Sequence, residues 1–209
     1  MMELPKIMFI SNGNDHKTQI KCIQQALEGG ITWIQLRVKD WSEQEKENLA
    51  IAVQELCADY GAWLTINDDV DLALKILADG IHLGKNDMPI DKAKILCGDS
   101  MIVGATANSP DDIFEIYVHQ PDYFGLGPLR FTETKKNLNP ILGLEGYKKI
   151  LETIREKKIT IPIFAVGGVK YNDIDSLLEI GVYGFAISSA ITQNTNPVTE
   201  AKKWVKKLN

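Results

Sequence analysis

Cysteine and histidine are scarce, with three of each in a chain of 209 residues. Cys22, Cys57 and Cys97 stand far apart. No CxxC spacing offers a metal site, and an odd, scattered set gives no disulfide framework. Each falls in or beside a helical stretch, where a thiol serves as a small buried hydrophobe. A reducing, cytoplasmic setting is the expectation. His16, His82 and His119 have no ligand spacing, and neither a Ser-His-Asp elbow nor a nucleophilic-cysteine context accompanies them. His82, between Ile81 and Leu83, reads as a hydrogen-bonded strand histidine ahead of a general acid or base. Positive charge is in deficit: 23 Lys and Arg against 28 Asp and Glu leave a formal charge of −5. That argues against nucleic-acid and anionic-membrane partners, which need a basic field. No apolar run approaches the ~20 residues of a membrane span. The start, Met1-Met2-Glu3-Leu4-Pro5-Lys6, lacks the basic-then-apolar order of a secretory signal. A dinucleotide fingerprint is missing too, since Ser11-Asn12-Gly13-Asn14 holds one glycine and no GxGxxG. There is no low-complexity linker.

What the chain does have is a rhythm. Hydrophobic residues at 44% and charged residues at 24% are ordinary for a globular chain, and the length suits a single domain over 1–209. Short β-rich apolar runs recur at residues 7–10, 32–36, 63–66, 80–83, 101–104, 123–126, 161–166 and 184–187. Amphipathic stretches separate them. Ser42-Glu43-Gln44-Glu45 fits a capping box. Ser109-Pro110 and Asn196-Pro197 place a cap residue before a proline at the first helical position. Leu49, Ala52, Val53, Leu56 and Cys57 follow a helical period. Gly29, Gly61, Gly98 and Gly181 suit left-handed helix stops. Trp33, Trp41, Trp63 and Trp204 read as packing residues. Near-continuous apolar strands fit burial on both faces of a parallel sheet. Eight strands alternating with eight helices predict an α/β fold, a (β/α)8 TIM barrel. An open doubly wound sheet is the runner-up.

In such a barrel the chemistry sits after the C-terminal ends of the strands. Strand two leads into Gln35-Leu36-Arg37-Val38-Lys39, where alternation places Gln35, Arg37 and Lys39 on one face. Inward cations of this kind call for an anion. Strand three leads into Asn67-Asp68-Asp69, and strand four into Gly84-Lys85-Asn86-Asp87. Asp68 and Asp87 either converge on a hard divalent cation such as Mg2+ or serve as caps, Asp68 or Asp69 on the third helix and Asp87 on the fourth. Thr106 offers a hydroxyl to a phosphate oxygen, whereas Ser109 is a cap. Val166-Gly167-Gly168 after strand seven, with Ser188 and Ser189 after strand eight, match the usual barrel phosphate cradle. After strand six comes the dense stretch GPLRFTETKKN, residues 127–137, whose Lys135 would join Arg37 and Lys39 in a second, more basic site. Two phosphorylated substrates are implied, one of them a diphosphate.

Together these segments resemble the thiamine-phosphate synthase (thiamine-phosphate pyrophosphorylase) family. They are Gln35-x-Arg37-x-Lys39, Asn67-Asp68-Asp69, Asp79-Gly80-Ile81-His82-Leu83-Gly84 with Asp87, Gly125-Leu126-Gly127-Pro128 leading to Thr132-Glu133-Thr134-Lys135-Lys136, and Val166-Gly167-Gly168. The likeness covers nearly the whole chain, in order. It implies a (β/α)8 transferase that couples a hydroxymethylpyrimidine diphosphate to a hydroxyethylthiazole phosphate and releases pyrophosphate with Mg2+. By position, Asp68 and Asp87 would hold Mg2+. Arg37, Lys39, Asn67, Thr106 and Lys135 would hold the diphosphate, with Arg37, Lys39, Thr106 and Lys135 acting on the leaving group. Gln35 would face the pyrimidine, and Thr132, Thr134, Gly168, Ser188 and Ser189 the thiazole phosphate. The partners expected are these small molecules, with no nucleic acid and no membrane, and a homo-oligomer left open.

The resemblance has departures. Lys85 stands where the family usually has glutamine. Leu129-Arg130-Phe131 replaces a more usual Ile-Tyr-Pro, Thr106 a usual serine and Asn108 a common histidine. Three rival readings share the fold: a thiazole tautomerase-like paralogue, a non-catalytic barrel that binds thiamine precursors, and an isomerase or aldolase. Asp68, Asp87 and Lys135 argue against the first. Lys85 keeps the second alive. The third lacks a clear acid/base or Schiff-base residue at a strand end.

Overall fold

The computed structural model describes residues 3–132 and 140–209. Its strands close into a barrel in chain order: β1 (Ile7–Ile10), β2 (Trp33–Leu36), β3 (Trp63–Asn67), β4 (Gly80–Leu83), β5 (Ile102–Ala107), β6 (Tyr123–Leu126), β7 (Ile163–Val166) and β8 (Gly184–Ile187). The helices among the described residues are α1 (His16–Glu28), α2 (Glu43–Asp59), α3 (Val70–Ile76), α4 (Ile90–Cys97), α5 (Pro110–Tyr117), α6 (Gly143–Glu156), α7 (Ile174–Glu179), α8 (Ser189–Thr192) and α9 (Pro197–Leu208). The pairings are parallel, as between β2 and β3, where Gln35 lies opposite Thr65. This is the expected (β/α)8 barrel. One short helix, α8, goes beyond the eight expected. No described helix is long and apolar enough to cross a membrane.

By compactness the chain divides into two units, Met1–His82 with Ile187–Asn209, and Leu83–Ala186. In the first, Phe9, Ile23, Trp33, Ile34, Leu49 and Trp204 are fully buried. Burying an aliphatic or phenyl side chain contributes about 1.5–3 kcal/mol. A buried indole also needs a partner for its N–H, and Trp33 Nε1 donates to Thr65 Oγ1 at 2.8 Å. Asp15 caps α1 in a capping box with Thr18, and the box expected at Ser42 and Glu45 caps α2. The stop expected at Gly29 lies one residue later. Gly29 has φ −77°, and Gly30 takes the left-handed turn at φ +89°. Gly29 is needed for close approach instead, because a Cβ there would stand 2.2 Å from the Ala201 Cβ on α9.

In the second unit Tyr123, Tyr147, Phe124, Phe164 and Phe185 fill the core. Gly104 makes room for the Tyr123 ring, whose carbons would lie 2.1–2.3 Å from any added Cβ. β5 runs three residues beyond the expected 101–104, because Thr106 and Ala107 still pair with Gly125 and Leu126. β7 starts at Ile163, two residues later than expected, after Pro162, which has no N–H for a ladder bond. Tyr147 of α6 is wholly buried. Its hydroxyl donates to the Leu126 carbonyl and accepts from the Val166 amide at 3.3 Å, joining the ends of β6 and β7 to α6. Ser109 accepts from the Asp112 amide and caps α5 as expected, with Pro110 at the first helical position. All three cysteines are free and buried, as the sequence implied, and burial pushes the Cys57 thiol up to about 12.

Candidate active site

In the first unit the candidate residues gather where β2 and β3 end. Gln35 is buried on β2. Arg37 follows the strand, and buried neighbours fix both polar groups of its backbone. Its N–H donates to the Ser11 hydroxyl at 3.0 Å, and its carbonyl accepts from Gln19 Nε2 at 3.4 Å. Ser11 and Gln19 are themselves buried, and Gln19 also donates to the Gly13 carbonyl at 3.1 Å. Burial lowers the Arg37 guanidinium from its ordinary pKa, and the charge of Asp68 opposes that shift.

Lys39 pairs with Asp68 at 3.2 Å, the two side chains 51% and 31% exposed. Asp68 holds a left-handed backbone at φ +69°, which a non-glycine residue adopts only under constraint. Its amide donates to the His82 carbonyl at 2.9 Å. Of the two cap readings for this triplet, Asp69 is the cap, accepting from the Leu72 amide at the start of α3. Asp68 is thereby left for other work. Asn67, half-buried, ends β3. Ser188 follows β8 and carries a buried hydroxyl with no hydrogen-bond partner among the described residues. Buried hydroxyls normally find one, so this orphan is a candidate ligand contact. Ser189 opens α8.

In the second unit Asp87 follows β4. It does not cap α4, whose N-cap is Pro89 with no side-chain bond. Its carboxylate instead accepts from the Gly84 amide at 2.7 Å. Lys85, the departure beside it, pairs with Asp112 at 2.5 Å. Asp112 also accepts from the Asn108 amide at 2.8 Å. Burial works to raise the Asp112 pKa, but hydrogen bonds from Lys85, Asn108 and Ser109 outweigh it and hold the carboxyl below its ordinary value. Thr106 lies half-buried near the end of β5.

The segment after β6 opens with a cis Gly127-Pro128 bond, and the Asn108 side chain donates to the Gly127 carbonyl. Arg130 reaches Asp173 and the Gly168 carbonyl. Gly167 and Gly168 both lie at positive φ, +83° and +67°. Thr132 is half-buried. Thr134 and Lys135 lie outside the described residues, as does the rest of 133–139.

The family model described as thiamine monophosphate synthase matches residues 7–191. The chain belongs to the thiamine monophosphate synthase family. Within that family it is 46% identical over 198 residues to a thiamine-phosphate synthase of Phocaeicola vulgatus, with 95% of each chain covered. It is 43% identical over 203 residues to one of Flavobacterium psychrophilum, covering 97% of this chain and 98% of that one. A solved thiamine phosphate pyrophosphorylase from Pyrococcus furiosus superposes with a TM-score of 0.82 at 32% identity, covering 97% and 96%. A 3-hexulose-6-phosphate synthase at 16% identity and a TM-score of 0.74 shares the fold alone.

Sequence reasoning missed Ser11 and Gln19 beneath Arg37, Asp112 beside Lys85, and Asp173 opposite Arg130. Ser11 had a usable signal, a polar residue directly at the end of an apolar strand. The others sit 18 to 43 positions from their partners, and no local pattern links them.

Proposed function

We propose that this chain is a thiamine-phosphate synthase, a transferase. It joins a hydroxymethylpyrimidine diphosphate to a hydroxyethylthiazole phosphate, giving thiamine phosphate and pyrophosphate. The observation that carries the reading is the charged set Arg37, Lys39 and Asp68, with Arg37 held on a buried polar base, in a chain of this family. The bond between the pyrimidine methylene and the diphosphate oxygen breaks, and its electron pair leaves with pyrophosphate. The thiazole nitrogen then donates its lone pair to the methylene carbon. No proton transfer is needed for either step, which suits a site rich in Arg, Lys and Asp and poor in nucleophiles.

Arg37, Lys39, Asn67, Thr106 and Lys135 bind the diphosphate and neutralise the charge that builds on it. The Lys39–Asp68 pair is half-exposed, and such pairs are worth only about 0–1 kcal/mol. A diphosphate can therefore draw Lys39 away from Asp68 at little cost. Gln35 orients the pyrimidine, and Thr132, Thr134, Gly168, Ser188 and Ser189 take the thiazole phosphate. Alignment of the two rings lowers the entropic barrier to their union.

Asp68 and Asp87 are the residues proposed to hold Mg2+. Their oxygen-only donors fit it, because Mg2+ commonly takes one or two carboxylates and completes its shell with substrate phosphates and water. No group of three or more His, Cys, Asp or Glu among the described residues forms a full protein cage. When bound, Mg2+ supplies Lewis-acid stabilisation of the leaving pyrophosphate. The relatives reported above are named as synthases, which favours condensation over a tautomerase or a precursor-binding barrel. The testing assay is pyrophosphate release. The reading expects release only with both substrates and Mg2+ together, and it fails if both bind without release.

A further inference from the structure

The turn after β7 is gripped by the segment that follows β6. Three consecutive carbonyls of the turn accept from that segment. The Leu129 N–H donates to Val166 at 3.0 Å and the Arg130 N–H to Gly167 at 3.0 Å. Arg130 Nη1 donates to Gly168 at 3.3 Å. The same guanidinium forks onto Asp173, with Nη1 to Oδ2 at 2.5 Å and Nη2 to Oδ1 at 2.7 Å. Asp173 Oδ2 also accepts from the Lys170 amide at 2.8 Å. One arginine thus ties the exit of β6, the glycine turn and the approach to α7 together. The fit is close: a Cβ at Gly168 would stand 2.8 Å from the Arg130 Cβ and 3.0 Å from the Phe131 carbonyl oxygen. No described residue accepts from the Gly168 amide.

We propose that Arg130 and Asp173 are positioning residues for phosphate binding. Their fork holds the Gly168 carbonyl away from the substrate phosphate, beside the Gly167 carbonyl that the Arg130 N–H already holds, so that the turn presents its amides, and Arg130 does not itself bind the anion. The inference rests on the phosphate role given to Gly168 above. A carbonyl oxygen swung toward a phosphate repels it, whereas an amide held in place attracts it at no reorganisation cost. A planar guanidinium forked on a carboxylate fixes direction as well as charge, which a lysine ammonium cannot do. With both terminal nitrogens on Asp173, Arg130 is already matched to an anion of the protein's own.

The experiment compares Arg130→Ala, Arg130→Lys and Asp173→Asn with the unsubstituted chain. Each substrate is varied in turn, and hydroxyethylthiazole phosphate alone is titrated by calorimetry. Asp173→Asn and Arg130→Ala are expected to raise the KM and Kd for the thiazole phosphate about tenfold, which is about 1.4 kcal/mol. The KM for the pyrimidine diphosphate stays within about twofold, and Arg130→Lys recovers part of the loss. A direct phosphate-binding Arg130 predicts the opposite for Asp173→Asn, because freeing the guanidinium would tighten binding. Unchanged or tighter binding in Asp173→Asn overturns the proposal, and so does an equal rise in both KM values. Failure of the synthase reading would appear separately, as absence of pyrophosphate release by the unsubstituted chain. Titration with inorganic phosphate would then still compare the unsubstituted chain with Asp173→Asn.

Discussion

Between Gln35 and Asp69 the chain sets charged side chains on a buried polar footing; between Val166 and Gly168 it sets no charge at all. Arg37 owes its placement to Ser11 and Gln19, which hold its two peptide groups, and Asp68 stands at a strained φ of +69° beside Lys39. The β7 turn uses two left-handed glycines and turns three carbonyls toward the segment after β6. In the first region the functional group is the side chain, and the backbone is fixed so that the side chain is aimed. In the second the functional group is the backbone, fixed by two amides of the segment after β6 and by one side chain, Arg130. The two regions should therefore break under opposite kinds of substitution.

The largest effect is expected from removing charge in the first region. Arg37→Ala or Asp68→Ala should lower kcat about 10²- to 10³-fold, the range seen when an electrostatic contact to the transition state is lost. The melting temperature should barely move, and steady-state pyrophosphate release read beside thermal melting checks both. Full activity in Asp68→Ala would sink the metal assignment. Next comes Gly168→Ala. At φ +67° with Arg130 at 2.8 Å, an added methyl costs about 1–3 kcal/mol in strain and displaces the turn. Weaker thiazole phosphate binding with little change toward the diphosphate is the outcome that keeps the comparison intact, and calorimetry with each ligand decides it.

A smaller effect belongs to the Lys85–Asp112 pair, which lies in neither region. Lys85→Gln should change stability by no more than about 1 kcal/mol, as partly exposed pairs do. The Asp112 carboxyl is held below its ordinary 3.8 in the folded state. Its contribution is present above that value and is lost as pH falls through the lower folded-state pKa. Chemical denaturation of the two proteins should therefore converge as the solution is acidified below about 4. A gap that persists there would assign the difference to something other than this carboxylate.

Most of the barrel was legible because strand burial is written locally. Runs such as Trp33–Leu36 are buried at every position, and helix starts such as Ser42-x-x-Glu45 and Ser109-Pro110 act within four residues. Of the four expected glycine stops, Gly61, Gly98 and Gly181 lie at positive φ and Gly29 does not. Gly29 serves close approach to Ala201, a contact between α1 and α9 that periodicity does not encode, and the left-handed turn falls on Gly30. Likewise the triplet Asn67-Asp68-Asp69 announces a cap but not which aspartate supplies it; the left-handed turn at Asp68 decides that. The candidate residues at strand ends were read from type and order. Their supports were not, because Asp173 and Asp112 meet Arg130 and Lys85 only once the strands between them are in place.

Tyr147 carries a consequence of another kind, a spectroscopic one. Its buried hydroxyl sits between the Leu126 carbonyl and the Val166 amide, and burial raises its ionisation well above the ordinary 10. The folded chain therefore keeps that proton where an unfolded tyrosine would release it. The stability it contributes is full below about 10 and drains away in more alkaline solution. Its tyrosinate absorbance should arrive late in an alkaline titration and together with loss of the fold. Tyr147 is thus a native optical clock for the opening of the core beneath β6 and β7, readable without any label.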